Sequence, residues 1–372
     1  MDYETPQFFR VVQYAARADR DVIDMVSGNP DWAPPGGLRD GLRAYADGDP
    51  ADFQYPPSVG LRDLREAIAA RRGIDVDRLL VTNGAGEANH LATVEGLAAF
   101  PGEEIALTDP VYPYYAGRAN LLGADVSFAP VGADGHLTPA TLREAVSDET
   151  AVVAINTPNN PTGAVYDADA MAEFVAIAEA HDALLISDEV YDHYDFTGRF
   201  ASALRHDSPN VVATNSFSKS MAITGFRVGY AVFPDPEGPT GDLLEGARTR
   251  HMLTNVTGSR PAQYAVLRAL ETTSPDYYAE NRRRLTARID AFCGALEDAG
   301  AEYTRPEGGF YVMARFPDYP GTFEGVYELI DEAGVAGMPG EAFGEARADW
   351  FRFALVTPRV EAAAERLVDF FD

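Results

Sequence analysis

Lysine is almost absent from this chain: position 219 carries the only one, and every other one of its 30 basic residues is arginine. Cysteine is as scarce, with Cys293 alone, so no internal disulfide can form and a reducing compartment, the cytoplasm, is expected. Long apolar runs are also missing. None approaches the ~20 residues a membrane helix needs, and the charged opening MDYETPQFFRVVQYAARADRD lacks the apolar centre of a signal peptide. Positive charge is outnumbered, 30 basic against 58 acidic residues, for a net charge of −28. Such an excess repels nucleic acid and anionic membranes. The carboxylates are spread along the chain and form no tail. This balance points to a halophilic protein, from a salt-loving organism such as a haloarchaeon, where a Debye length of about 3 Å at 1 M salt screens the self-repulsion. GC-rich coding would also favour arginine over lysine.

What the chain does contain is globular. Its 372 residues are 46% hydrophobic, enough for roughly two domains. No internal repeat or low-complexity tract interrupts it. Short apolar runs alternate with helical patterns through the middle, the mark of a mostly parallel α/β sheet covered by helices. LLVT (79–82), EIALT (104–108), DVSFAP (125–130), AVVAIN (151–156), ALLIS (183–187) and NVVAT (210–214) read as strands. Helices are predicted over about 87–100, from Thr138-Pro139 (a cap, then proline at the first helical position), and over about 167–181. A long arginine-studded helix, PDYYAENRRRLTARIDAFCGALEDAG, leads to the strands GGFYVMARF and WFRFAL. The predicted organisation is a large cofactor-binding domain over 46–270 and a smaller α+β domain formed from both termini, 1–45 and 271–372.

Asn160, Asp188 and the Ser216–Lys219 pair fall just past the carboxyl ends of predicted strands, the edge where parallel α/β sheets bind ligands. Any of the three alone could be a turn or cap residue. Three polar groups delivered to one rim are harder to explain by packing. The lysine is the most telling. Arginine replaces it as a surface cation, but a guanidinium stays protonated and cannot condense with an aldehyde. A chain that discards lysine elsewhere has kept it where a primary amine is chemically required. An amine reserved for an aldehyde suggests pyridoxal phosphate, which needs an acid for its ring nitrogen.

With that, the chain resembles the fold-type I pyridoxal-phosphate enzymes, in particular the class I/II aminotransferases. The resemblance covers nearly the whole length and rests on GNPDWAPP, YPPSVGLRDLREAI, NGAGEA, DPVYPYY, NTPNNPTG, SDEVY, SFSKSMAITGFRVGY, GGFY and FRFAL, in the family's order. It implies an aspartate-aminotransferase-like fold, a homodimer and pyridoxal 5′-phosphate as cofactor; no metal is expected. It also assigns roles. Lys219 would hold the cofactor covalently and then move a proton at the substrate's Cα. Asp188 would pair with the ring nitrogen, although Glu189 beside it is an equally acidic neighbour. Asn160 and Tyr191 would hydrogen-bond the ring's phenolic oxygen, and Tyr112 would stack on the ring.

The phosphate would meet Gly84, Ala85 and Gly86 at a helix start, where backbone N–H groups face an anion. Ser216, Ser218 and the forked guanidinium of Arg227 would complete the cradle. Many relatives have a serine or threonine where Gly86 stands, so one hydroxyl contact is lost here. Tyr55 would reach the phosphate of the neighbouring subunit. Arg352 would grip the substrate carboxylate in two-pronged fashion, which lysine cannot do, with Gly28 offering backbone beside it and Asn160 also near the substrate. The family's second arginine, for a side-chain carboxylate, has no matching motif.

The implied reaction is transamination between an L-amino acid of aspartate, aromatic or alanine type and a 2-oxo acid such as 2-oxoglutarate. Histidinol-phosphate transamination, or a C–S lyase or decarboxylase on the same chassis, are alternatives. A cofactor-binding transcription regulator is disfavoured, because the motifs begin by Gly28 and the net charge of −28 opposes DNA. The charge balance carries one expected outcome. Transfer from molar salt to low ionic strength should lower the melting temperature followed by circular dichroism; an unchanged melting curve would contradict the halophilic reading.

Overall fold

Apolar residues spaced two apart sort the central segments onto two faces. In the segment Thr150–Asn156, Val152 and Ala154 enter one buried cluster while Val153 and Ile155 enter another. Coverage on both faces is what parallel strands require. The computed structural model describes residues 7–371. In chain order its first strands are β1 (Ile23–Asp24), β2 (Leu79–Thr82), β3 (Glu104–Asp109), β4 (Asp125–Pro130), β5 (Thr150–Asn156), β6 (Leu184–Asp188), β7 (Val211–Ser216) and β8 (Gly229–Val232). They are followed by β9 (Glu302–Thr304), β10 (Tyr311–Arg315), β11 (Val335–Ala336), β12 (Met338–Pro339) and β13 (Phe351–Ala354).

Seven strands form the main sheet in the order β2-β8-β7-β6-β5-β3-β4. From β7 to β4 every pairing is parallel, whereas β8 runs antiparallel to both its neighbours. Six of these strands lie where the sequence predicts them. The seventh, β8, is not among the predicted strands, because GYAV is short and the one glycine between it and Lys219, Gly225, sits in a helical turn (Thr224–Phe226) rather than at the reversal. Arg227 makes that turn itself, in the left-handed region at φ 55°, and the reversal sets Ser216 opposite Gly229.

A second sheet, β12-β13-β10-β9, is antiparallel, and β1 pairs in parallel with β11. Its core joins both ends of the chain: Val11, Ile23 and Met25 pack with Phe292, Phe353 and Leu367. The predicted long helix spans Pro275–Asp298 and supplies Ile289 and Phe292 to that core. The helix Gly36–Ala46 packs elsewhere. Its Leu38 shares a cluster with Leu79, Val81 and Ala265, so it lies on the helix Arg260–Thr272 beside the main sheet. Of the predicted terminal unit, residues 1–6 and 372 lie outside the described residues.

Candidate active site

The carboxyl ends of β5, β6 and β7 lie side by side and deliver the polar groups to one rim. Asn156 is opposite Asp188, and Asp188 is opposite Thr214. Past β5, the Asn156 side chain accepts from the Asn160 backbone N–H at 2.8 Å and donates to the Asp188 carbonyl at 2.9 Å, fixing the turn that carries Asn160. Past β7, one helical turn, Phe217–Ser220, presents Lys219. The Tyr194 hydroxyl donates to the Lys219 carbonyl at 2.7 Å and pins that turn. The reversal into β8 then brings Arg227 back beside it. Across the cleft, the helix Ala85–Ala99 begins at Gly84, whose φ of 85° and close guanidinium neighbour leave no room for a side chain: a Cβ there would collide with Arg227.

A cavity of about 770 Å³ results. Gly28, Ala85, Gly86, Tyr112, Asn160, Asp188, Tyr191, Ser216, Ser218, Lys219, Arg227 and Arg352, all predicted from the sequence, line it together. Gly84 abuts it through Arg227. Tyr55 is the exception. It is 80% exposed and is not among the lining residues.

Asp188 is buried and accepts three hydrogen bonds: from the Tyr115 hydroxyl, from Asn89 Nδ2 at 2.6 Å and from the Val190 N–H at 3.1 Å. Burial raises its pKa, and these donors oppose the rise. Among the described residues no basic side chain pairs with it. Glu189, its neighbour in sequence, faces the other way and is fully buried in an ion pair with Arg72. The two adjacent acids are thereby distinguished: one is neutralised inside the fold, while the other is left for a cation from outside.

Lys219 Nζ donates to the Gly28 carbonyl at 2.6 Å. Burial pushes its pKa down to about 8, with repulsion from Arg352 and Arg227 adding to the effect and Asp188 opposing it. Arg352 is 3% exposed, stands 4.4 Å from the Tyr311 ring centre, and donates to the Val26 carbonyl. Its Nε has no partner. A buried guanidinium so poorly matched costs several kcal/mol unless an anion arrives. The Tyr191 hydroxyl lies 3.2 Å from that of Tyr311, and burial raises both pKa values. Asn160 carries a buried amide oxygen without a partner.

Several residues of the site were not singled out from the sequence. Tyr115 and Asn89 hold Asp188, and Thr214 Oγ1 in turn donates to Asn89 Oδ1 at 2.5 Å. Tyr311 separates Arg352 from Tyr191, and Arg118 lines the cavity. Tyr115 and Tyr311 fall in the quoted stretches DPVYPYY and GGFY, and Asn89 lies one residue past NGAGEA. Their signal was proximity to a motif, which does not say which polar atom they touch.

Comparison with known proteins agrees with this geometry. The family described as aminotransferase class I and II matches residues 20–369. An aspartate aminotransferase of Thermotoga maritima is 30% identical over 363 residues, covering 95% of this chain and 92% of the relative. A probable N-succinyldiaminopimelate aminotransferase of Mycobacterium tuberculosis is 33% identical over 357 residues, 92% of this chain and 86% of that one. Among solved structures, the aspartate aminotransferase of Thermus thermophilus with maleate superposes with a TM-score of 0.87 at 26% identity, covering 99% of this chain and 97% of that chain.

A lowered lysine pKa can be tested at one peptide, since the chain has a single lysine and peptide mapping sets it apart from the terminal amine, which titrates at about 7.7–8.0. Only the neutral amine attacks an aldehyde, so trapping of a small aldehyde by borohydride at Lys219 should rise with pH. The midpoint is expected near 8. A midpoint close to the ordinary lysine value of about 10.4 would mean that the cleft does not desolvate the amine.

Proposed function

This chain belongs to the class I and II aminotransferase family and is a pyridoxal-phosphate-dependent aminotransferase; we propose that Lys219 holds the cofactor and that the donor is an amino acid of aspartate, aromatic or alanine type, with 2-oxoglutarate the main acceptor. The single observation that carries the site assignment is that the only lysine, the one cation-free buried carboxylate of the rim and a buried unpaired guanidinium share a cavity. Members of the family use pyridoxal phosphate, and the residues present fit it. Asp188 lacks a cation that a protonated ring nitrogen would supply. Asn160 lines the cavity, and its side-chain amide N–H would donate to the ring's phenolic oxygen. The helix start at Ala85 has no side-chain cap and faces Arg227, a setting suited to a phosphate.

When bound, the cofactor supplies an aldehyde for amines and an electron-withdrawing ring. The rest is the work of this chain. Arg352 would orient the substrate by its carboxylate through a planar, two-pronged contact, bringing Cα toward Lys219. The Lys219 amine, released from its hydrogen bond to the Gly28 carbonyl, would take the proton from Cα and return one to the product side. A pKa near 8 suits both directions of that transfer. Asp188 would keep the ring nitrogen protonated, held in place by Asn89, Tyr115 and Thr214. Tyr112, half-buried and edge-on to Tyr114 and Tyr115, would cover the ring face, and Tyr191 and Asn160 would contact its phenolic oxygen.

The assembly is read as a homodimer with shared sites. Support comes from the exposed apolar side chains Phe53, Tyr55, Met252, Leu253 and Val256, which suit a partner surface and leave Tyr55 free to reach a neighbouring cavity. The division into a cofactor-binding unit over 46–270 and a unit drawn from both termini is part of the same proposal, except that the helix Gly36–Ala46 packs with the cofactor-binding unit; so are a cytoplasmic, salt-rich setting and the absence of nucleic-acid or membrane partners. No helix of the described residues is long and apolar enough to cross a membrane.

Two substitutions test the assignment. Lys219→Arg should fold and keep the oligomeric mass of the parent, yet leave no cofactor fixed to residues 216–227 after borohydride and peptide mapping, and give no detectable turnover; retained activity would remove Lys219 from the chemistry. Arg352→Met should leave cofactor absorbance intact while lowering kcat/KM for every amino donor by about 100-fold, the scale of two lost charge-assisted hydrogen bonds. A loss confined to one donor would instead place Arg352 on the substrate side chain. Scored over a panel of donors and 2-oxo acids, the same assay identifies the preferred pair.

A further inference from the structure

One cation in the cleft has no part in the reaction just described. Arg118, from the helix Tyr114–Leu122, lines the same cavity as Lys219 and Asp188. Its guanidinium donates to the Gly86 carbonyl at 3.3 Å and lies 5.6 Å from the centre of the Tyr115 ring. Among the described residues no carboxylate comes within ion-pair distance of it, and burial lowers its pKa. A 3.3 Å contact to a helix carbonyl is at the long end of hydrogen bonding. Charge-assisted bonds to an anion run near 2.7–2.9 Å and are about twice as strong. As it stands, the guanidinium is poorly satisfied.

What lies beside it is a gap. A Cβ built on Gly86 would meet nothing within 4 Å, so the second residue of the helix Ala85–Ala99 leaves open space on the cavity side of its first turn. Arg227 also meets that helix start, against Gly84. The helix start is therefore flanked by one arginine engaged with it and another, Arg118, one weak hydrogen bond away. We propose that Arg118 is a second cationic anchor for the cofactor phosphate, reaching across Gly86 into the space a side chain at that position would fill. The proposal rests on the cofactor reading above and concerns only the phosphate end of the site. It also explains how a glycine is tolerated where a hydroxyl contact would otherwise be lost.

The test separates the phosphate from the ring. Full-length wild type and Arg118→Gln, resolved of cofactor, are titrated with pyridoxal phosphate and with pyridoxal, which has the aldehyde and ring but no phosphate, following visible absorbance. Arg118→Gln should raise the Kd for pyridoxal phosphate roughly tenfold or more and leave that for pyridoxal unchanged. Adding Gly86→Ser to Arg118→Gln should recover part of the loss. Equal weakening of both ligands would overturn the proposal, reducing Arg118 to a prop for Tyr115. Unchanged cofactor affinity with a raised KM for dicarboxylic donors would also overturn it, in favour of contact with the substrate. Wild type that captures neither ligand would sink the parent reading, and this proposal with it.

Discussion

Five charged side chains, Arg118, Asp188, Lys219, Arg227 and Arg352, line one cavity, and among the described residues none closes an ion pair with another. Pairing would be the cheapest outcome, because isolated charge in a low-dielectric interior costs several kcal/mol per group. The backbone prevents it. Asp188 ends β6, Lys219 follows β7 on its own helical turn, Arg227 sits in the reversal that precedes β8, and Arg352 comes from β13 in the other sheet. Each charge is satisfied only by neutral groups: three donors for Asp188, one carbonyl for Lys219, one carbonyl and a ring for Arg118, two carbonyls for Arg227, and one carbonyl with two aromatic rings for Arg352. Away from the cleft the same residue types find partners, as Glu189 does with Arg72, Glu95 with Arg250 and Asp31 with Arg288. The cleft is the place where the fold withholds partners, and so the place where a ligand's charges can be bound.

Much of this was legible before the structure, for a definable reason. The end of a parallel strand is marked in sequence by a switch from an apolar run to polar and turn residues, so Asn160, Asp188 and Lys219 could be placed on one rim without knowing the strand order. The support for those residues was not legible. Tyr115 and Asn89 reach Asp188 across 73 and 99 residues of chain, and Thr214 reaches Asn89 across 125. Nothing local distinguishes a tyrosine that meets a buried carboxylate from one that merely packs. The antiparallel β8 escaped for a different reason: its turn is made by Arg227 at positive φ, where glycine or asparagine is the usual signal. Arg118 escaped because one arginine in a chain full of them carries no compositional mark; only the missing side chain at Gly86 gives it meaning.

The arginine bias has a structural counterpart on the surface. Arg359 and Arg366 converge on Asp21, and Arg288 meets Asp31 through both terminal nitrogens at 2.8 and 2.7 Å. These two-pronged contacts are available to a guanidinium and not to an ammonium. Exposed pairs such as Asp21 with Arg359 contribute little, ~0–1 kcal/mol each, whereas Arg288 and Asp31 are largely covered. With the acidic excess, though, they set the partner a basic residue must have, and a chain that meets this need with arginine gives up nothing until an amine is needed for bond formation. On the proposed function, position 219 is where that need arises.

Arg352 and Arg227, the two arginines proposed to receive anions in the cleft, also bear on the reactivity of the amine near them. Burial is the main cause of the depressed Lys219 pKa, and Arg352 and Arg227 add to it. An anion arriving at either arginine offsets that repulsion and returns part of the lysine's affinity for a proton. Binding and proton transfer are therefore coupled with a fixed sign: the empty cleft favours the neutral, nucleophilic amine, and filling its anion sites moves the same nitrogen toward holding a proton. A group that must first attack and later carry a proton needs that order. It follows from where two guanidinium groups stand, with no conformational change required.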